Sequence, residues 1–292
     1  MIRNTNDGSS SSPALRVHFN LGTLGELPDF STAPRSQGRE LYEAIKAAGF
    51  TGLQGGDPAI ARELGMPCDG DGRVNKVGDA DTIAASAKDA GRRCATLHVG
   101  WGIEDDAEVD RLVEDIIKAS EKRDFPLYIE THRATITQDI WRTVRFVKKF
   151  PDVRINGDFS HWYTGLEMVY GDIVGKWDFA APVFERVRYV HGRIGNPGSM
   201  QVDIGDGKGR TYVDHFREMW TRSFAGFLKT AKPGDYITFS PELLGPSIYY
   251  ARTFSDATGH PKEEGDRWQQ AILYAQIAKE CFVETQKRVG NP

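Results

Sequence analysis

LYIETH, residues 127–132, alternates in the period-2 pattern of a strand: Leu127 and Ile129 on one side, Tyr128, Glu130 and His132 on the other. In a closed (β/α)8 barrel one side of each strand meets the surrounding helices and the other faces the barrel interior. That parity sends Leu127 and Ile129 to the helices and Glu130 inward. The next three strand-like stretches repeat the arrangement. In VRINGDF (153–159) Val153 and Ile155 take the helix side, leaving Asn156 and Asp158 inside. In RYVHGRIG (188–195) Val190 faces the helices while His191 and Arg193 face in. In YITFSPELL (236–244) Ile237 and Phe239 go outward and Thr238, Ser240 and Glu242 inward. Glu130, Asp158, His191 and Glu242 thus stand near the C-terminal ends of four consecutive strands, the rim where barrel enzymes keep their active sites.

Upstream the alternation continues with RVHFNLG (16–22), GLQGG (52–56), GRVN (72–75) and CATLHVG (94–100), which brings the expected strands to eight. GRVN is the weak member, being short and polar. Between the strands lie helix-like segments such as SQGRELYEAIKAAG, DADTIAASAKDAG and DAEVDRLVEDIIKASEK, the first two ending at glycines suited to a helix C-cap. After the eighth strand, Trp268, Ile272, Ala275, Ala278 and Phe282 fall on one helical stripe that would close the ring. A doubly wound open sheet is the competing architecture. It would carry a Gly-rich phosphate turn after its first strand, and HFNLGTLGEL lacks the third glycine at the required offset. The expected organisation is a disordered leader over 1–13 and one barrel over 14–292.

Composition narrows the function. With 292 residues, 39% hydrophobic and 27% charged, the chain is long enough for a sizeable core. A formal charge of −4, with basic residues scattered, argues against a nucleic-acid partner. Cys68, Cys94 and Cys281 form no close spacing and read as reduced, buried thiols. No apolar run reaches the roughly 20 residues of a membrane span, and the start lacks a signal peptide's apolar centre. The expected location is the cytoplasm, with a small-molecule substrate and no membrane partner; nothing decides between monomer and homo-oligomer.

Three carboxylates converging in a dry cleft repel one another and call for a cation. Three oxygen ligands and an imidazole suit one divalent ion, Mn²⁺, Mg²⁺, Co²⁺ or Zn²⁺. The set YIETH, DFSH, VHGR and SPEL, in this order, resembles the xylose isomerase-like TIM barrel superfamily, in particular its sugar phosphate isomerase/epimerase branch of ketose 3-epimerases and hydroxypyruvate isomerase-like proteins. The resemblance spans about residues 15 to 285. It implies a divalent ion held by Glu130, Asp158, His191 and Glu242, with Glu130 and Glu242 as the acid/base pair. It also implies substrate contacts from His161, three residues after the aspartate, and from Arg193. Trp162, His98 and Trp101 would wall the pocket, while His18, His132, His215 and His260 read as core or surface histidines. The loops NPGSMQVDIGDGKGRT and GPSIYYARTFSDATGHP are long enough for a lid, with Tyr249, Tyr250 and Arg252 able to complete the pocket.

The chemistry implied is proton abstraction next to a carbonyl of an unphosphorylated ketose or keto-sugar, for isomerisation or epimerisation. A lyase acting on a keto-sugar, keto-glycoside or inosose would begin with the same step. A nuclease like endonuclease IV is the remote alternative, since the third strand and the segment after the seventh lack the histidines it needs. One departure stands out: second strands of this superfamily often end in an acid, whereas GLQGG offers Gln54, suited to a substrate hydrogen bond.

Overall fold

Nine strands form one sheet in the computed structural model, which describes residues 1–290. They are β1 (Thr5–Asn6), β2 (Ala14–Asn20), β3 (Gly52–Gln54), β4 (Cys68–Val74), β5 (Ala95–Val99), β6 (Leu127–Glu130), β7 (Ile155–Asn156), β8 (Val187–Gly192) and β9 (Asp235–Pro241). From β2 onward each pairs in parallel with the next, and β9 pairs in parallel with β2, so eight strands close a (β/α)8 barrel. Closure leaves the inner face only side chains to fill it, and the parity read from sequence holds. Val17, Phe19, Leu97, Leu127, Ile129, Val190, Ile237 and Phe239 are buried among the helices. The interior side is unusually polar. His18 Nδ1 lies 2.5 Å from Asp69 Oδ2, both fully buried, and Tyr189, Thr238 and Ser240 belong to the same interior. Gly52 is required beside this pair, because a Cβ there would stand 2.6 Å from the His18 ring.

The helices form for local reasons. Asp106–Arg123 opens on a capping box in which Asp105 accepts from the Glu108 amide and Glu108 answers, and it buries Val109, Leu112, Val113 and Ile116. The final helix, Arg267–Gly290, buries Trp268, Ala271, Ala275, Ala278 and Phe282, and the Trp268 ring packs edge-on to Phe19, 5.3 Å between centroids. That contact seals the barrel beside β2.

Three expectations change. Residues 1–13 are not a disordered leader: β1 pairs antiparallel with β9, Ile2 is buried, and the Thr5 amide donates to the Tyr128 hydroxyl at 3.0 Å. The third barrel strand begins at Cys68, four residues before GRVN; its polar Asp69 and Asp71 hid it from a hydrophobicity reading. The stretch 154–161 is not one strand. β7 stops at Asn156, and Ser160–Gly165 is a short helix, so His161 and Trp162 lie on a helix; just before it Asp158 Oδ1 accepts from the Ser160 amide and hydroxyl. The second long loop also holds a hairpin, Thr253–Ser255 against Pro261–Glu263. No helix among the described residues is long and apolar enough to cross a membrane.

Candidate active site

Four consecutive strands bring one ligand atom each from Glu130, Asp158, His191 and Glu242 to within 4.8 Å of one another at the C-terminal mouth. All but the partly exposed Glu242 are buried. Each carboxylate oxygen already has a donor. Glu130 Oε2 accepts from Asn156 Nδ2 at 3.0 Å and Oε1 faces His98 Nε2 at 3.3 Å. Asp158 Oδ1 accepts from Ser160, and Oδ2 from Arg193 at 2.7 Å. Glu242 Oε1 accepts from Asn20 at 3.2 Å and Oε2 from Arg193 at 2.5 Å. Every oxygen is thereby oriented; Asp158 Oδ1 accepts from both the amide and the hydroxyl of Ser160, so Oδ2 is the Asp158 oxygen turned to the cluster.

His191 is aimed from behind. Its Nε2 lies 2.9 Å from Gln54 Oε1, an atom that can only accept, so Nε2 carries a hydrogen, and Nδ1 faces Glu130 Oε2 at 3.2 Å and Glu242 Oε2 at 3.4 Å. Gln54 is itself held, by Asn20 Nδ2 on its oxygen and by Thr96 Oγ1 on its amide nitrogen. Burial opposes a charge on His191, but the Glu242 and Glu130 carboxylates outweigh it and push its pKa up to about 9. Burial likewise raises Asp158, to about 6, against the pull of Arg193.

Charge and geometry together fit a divalent ion. Three carboxylates and the buried Arg193 guanidinium sum to −2 when His191 is neutral, the charge a dication cancels. The same groups also pair with one another, Arg193 with Asp158 and Glu242 and His191 with Glu130 and Glu242, so the cluster is one that could hold a metal ion and that is held together by its own ion pairs.

Around this quartet the expected substrate residues divide. His98 lines a cavity of about 420 Å³ that opens on Glu130, His191 and Glu242, and Gln54 lines it too. Trp101 stands at the rim, half exposed, with the Arg73 guanidinium 4.1 Å over its ring. Arg193 is wholly engaged by Asp158 and Glu242, and its NH1 also lies 3.3 Å from His161 Nε2. Trp162 does not wall the pocket. It is 1% exposed, its indole N–H donates to the Thr137 carbonyl at 2.7 Å, and it packs beside Phe159 in the core. The helix beginning at Ser160 turns it away from the mouth.

Residues that sequence reading left aside also enter. His132 is no bystander: its ring lies between those of His98 and His161, tilted to both, with centroids 4.1 and 3.9 Å away. Burial first, and the neighbouring cations, lower its pKa to about 4, so it is neutral, and its Nε2 faces the Tyr250 hydroxyl at 3.2 Å. Asn20 and Asn156 orient the carboxylates; the inward parity of each was the available signal. Asp71 and Arg73 line the cavity from β4, whose polar face concealed it.

No family model matches the chain, and no curated protein matches it in sequence. Solved structures do match it in fold. The probable 3-DHS dehydratase AsbF of Bacillus anthracis superposes with a TM-score of 0.54 at 15% identity, over 90% of this chain and 97% of that one. A xylose isomerase-like TIM barrel protein from Mycobacterium smegmatis, in complex with magnesium, gives 0.54 at 12% identity, covering 95% and 97%. A sugar phosphate isomerase/epimerase from Parabacteroides distasonis gives 0.51 at 13%, covering 97% and 99%. At these identities the likeness is one of fold alone: the chain shares its (β/α)8 barrel architecture with these proteins.

Proposed function

We propose that the protein is a divalent-metal-dependent sugar isomerase or epimerase that removes a proton next to a carbonyl of an unphosphorylated ketose or keto-sugar. The observation that carries this reading is the convergence of ligand atoms from Glu130, Asp158, His191 and Glu242 at the mouth of a polar cavity. A divalent ion bound there would supply Lewis acidity to a carbonyl or hydroxyl oxygen. The chain's own residues do the rest. Gln54 and Asn156 hold His191 and Glu130 at fixed angles. Glu130 and Glu242 reach the cavity from different strands and act as proton acceptor and donor on the substrate. Arg193 keeps Asp158 and Glu242 in register, and His98, on the cavity wall, faces Glu130.

A second reading, a lyase expelling a substituent from the carbon beside the abstracted proton, is favoured by one observation, a further cavity against His161 with room for a leaving group. Both readings are tested by supplying the protein with Mn²⁺ or Mg²⁺ and following ketoses, inososes and 3-keto-glycosides by NMR in D₂O. Deuterium entering beside the carbonyl is the expected result, and the products separate epimerisation from elimination. No exchange with any of the panel, with metal bound, would sink the proposal.

A further inference from the structure

We propose that the opposite, N-terminal face of the barrel carries a separate ligand site, an anion site that takes a phosphate group. A cavity of about 260 Å³ opens there. Its walls come from the starts of strands: Arg16 of β2, Cys68 where β4 begins, Arg93 two residues before β5, and Tyr236, the second residue of β9. The quartet sits at the other ends of the same strands. Along β9, Tyr236 and Glu242 are six residues apart, which is about 20 Å of extended chain. The site therefore lies away from the metal-ligand cluster, and it stands whether or not the sugar reading does.

Three guanidiniums line this cavity and only one is neutralised. Arg16 pairs with Asp7, also in the cavity wall, and lies over the Tyr236 ring, 4.3 Å from its centroid. Arg62 and Arg93 are exposed, and their side chains make no hydrogen bond or ion pair with any described residue. Every other arginine of the chain except Arg133 has such a partner, so two of the three that lack one face the same cavity. Glu63, beside Arg62 in sequence, is taken by Arg39. Gly91 brings the two free guanidiniums together. It holds a left-handed backbone at φ +79°, and a Cβ there would collide with Arg62 Nη2, so the Arg62 guanidinium lies on the turn that leads into Arg93. No run of basic residues announces the site, because positions 16, 62 and 93 meet only in the fold. Three arginines less Asp7 leave the cavity at +2, close to the opposite of the roughly −1.5 to −2 that a phosphate monoester bears at neutral pH. Guanidinium also presents the paired N–H donors that phosphate oxygens accept. Met66 and Pro67 give one apolar side on which the organic part of a monoester would rest. The volume lies just under the roughly 300–1,000 Å³ usual for drug-sized ligands, so the ligand is a small one.

The test titrates Mg²⁺-supplied protein by calorimetry with inorganic phosphate, glycerol 3-phosphate and succinate, at about 0.15 M ionic strength so that loose surface attraction is screened. The unmodified chain is compared with Arg62→Gln, Arg93→Gln and Lys118→Gln, the last removing the same charge from the exposed side of the helix Asp106–Arg123. One phosphate group should bind per chain. Its affinity should fall at least about tenfold in each arginine variant, which loses a charge-assisted pair, and stay unchanged in Lys118→Gln. Because neither arginine holds another residue in place, both variants should keep the wild-type unfolding temperature; a marked fall would make these arginines structural and overturn the proposal. Tighter binding of glycerol 3-phosphate than of phosphate assigns the site to an organic monoester, and equal binding assigns it to free phosphate; both support it. No saturable binding up to about 10 mM would overturn it. So would an equal loss in all three variants, phosphate binding that survives both arginine changes, as an ion at the mouth would give, or succinate bound as tightly as phosphate.

Discussion

At the residue scale, the site separates groups that touch substrate from groups that aim them. Glu130→Gln and Glu242→Gln keep length and an oxygen donor, so metal binding should survive in weakened form while the proton acceptor is lost. Each should lower proton exchange by on the order of 10²-fold, measured in D₂O with metal saturation confirmed. Wild-type exchange in both would acquit the glutamates and turn attention to His98. Gln54 is the aiming residue. Gln54→Ala frees His191 Nε2 and should weaken metal binding by about 10- to 100-fold, whereas Gln54→Glu, which still accepts that hydrogen, should restore most of it. Equal affinity in the two variants would show that Gln54 plays no part in orienting the ring. Strand parity made Glu130, Asp158, His191 and Glu242 legible in the sequence, because the direction of an inward side chain follows from counting residues. Partners did not follow from counting. The Gln54–His191 bond joins residues 137 apart in sequence, and the burial of Trp162 depends on the short helix Ser160–Gly165 that follows β7.

At the scale of elements, all eight barrel strands were visible as β-rich runs between amphipathic segments, and their errors have a common cause. β4 was shortened because Asp69 and Asp71 face a polar barrel interior, where the apolar signal of a strand is missing. β7 was lengthened because RINGDFSH keeps alternating after its hydrogen bonds have ended at Asn156. The N-terminal segment was misread for a different reason: NTNDGSSSS has the composition of a flexible tail, yet its stability comes from what it covers. Asn4 Oδ1 accepts from Arg188 Nε at 2.6 Å, and Asn4 Nδ2 donates to Asp235 at 2.8 Å. Arg188 is buried, and burial together with the nearby Arg154 lowers its pKa to about 10, so each acceptor it has matters. Asn4→Ala should therefore cost about 1–3 kcal/mol of unfolding free energy in urea titrations. A change near zero would mean that the segment is an unimportant fringe on the barrel's N-terminal face.

At the scale of the whole molecule, the question is how far the fold would depend on the ion proposed for its mouth. A small structural metal site is unfolded without its ion, because the ligands have no other means of coming together. Here they do. The strands that carry the quartet are fixed by barrel closure and by apolar packing against helices, and Arg193 already bridges Asp158 and Glu242. Removing metal with a chelator should accordingly leave far-UV circular dichroism and cooperative unfolding intact. Restoring the ion at 100 times its dissociation constant should add about 2.7 kcal/mol. For a chain somewhat above 250 residues that is a rise in Tm of about 5–10 °C or slightly less. The same titration counts sites. One ion per chain is expected from the quartet, because the neighbouring group of His98, Glu130 and His132 is poorly suited to a second: Arg73 approaches His98 Nδ1 at 3.4 Å, which leaves Nε2 carrying the hydrogen toward Glu130 and without a lone pair for metal. Three tightly held zinc ions would shift the reading toward a nuclease. An apo protein that is unfolded would show instead that the ion, and not the barrel, assembles the mouth.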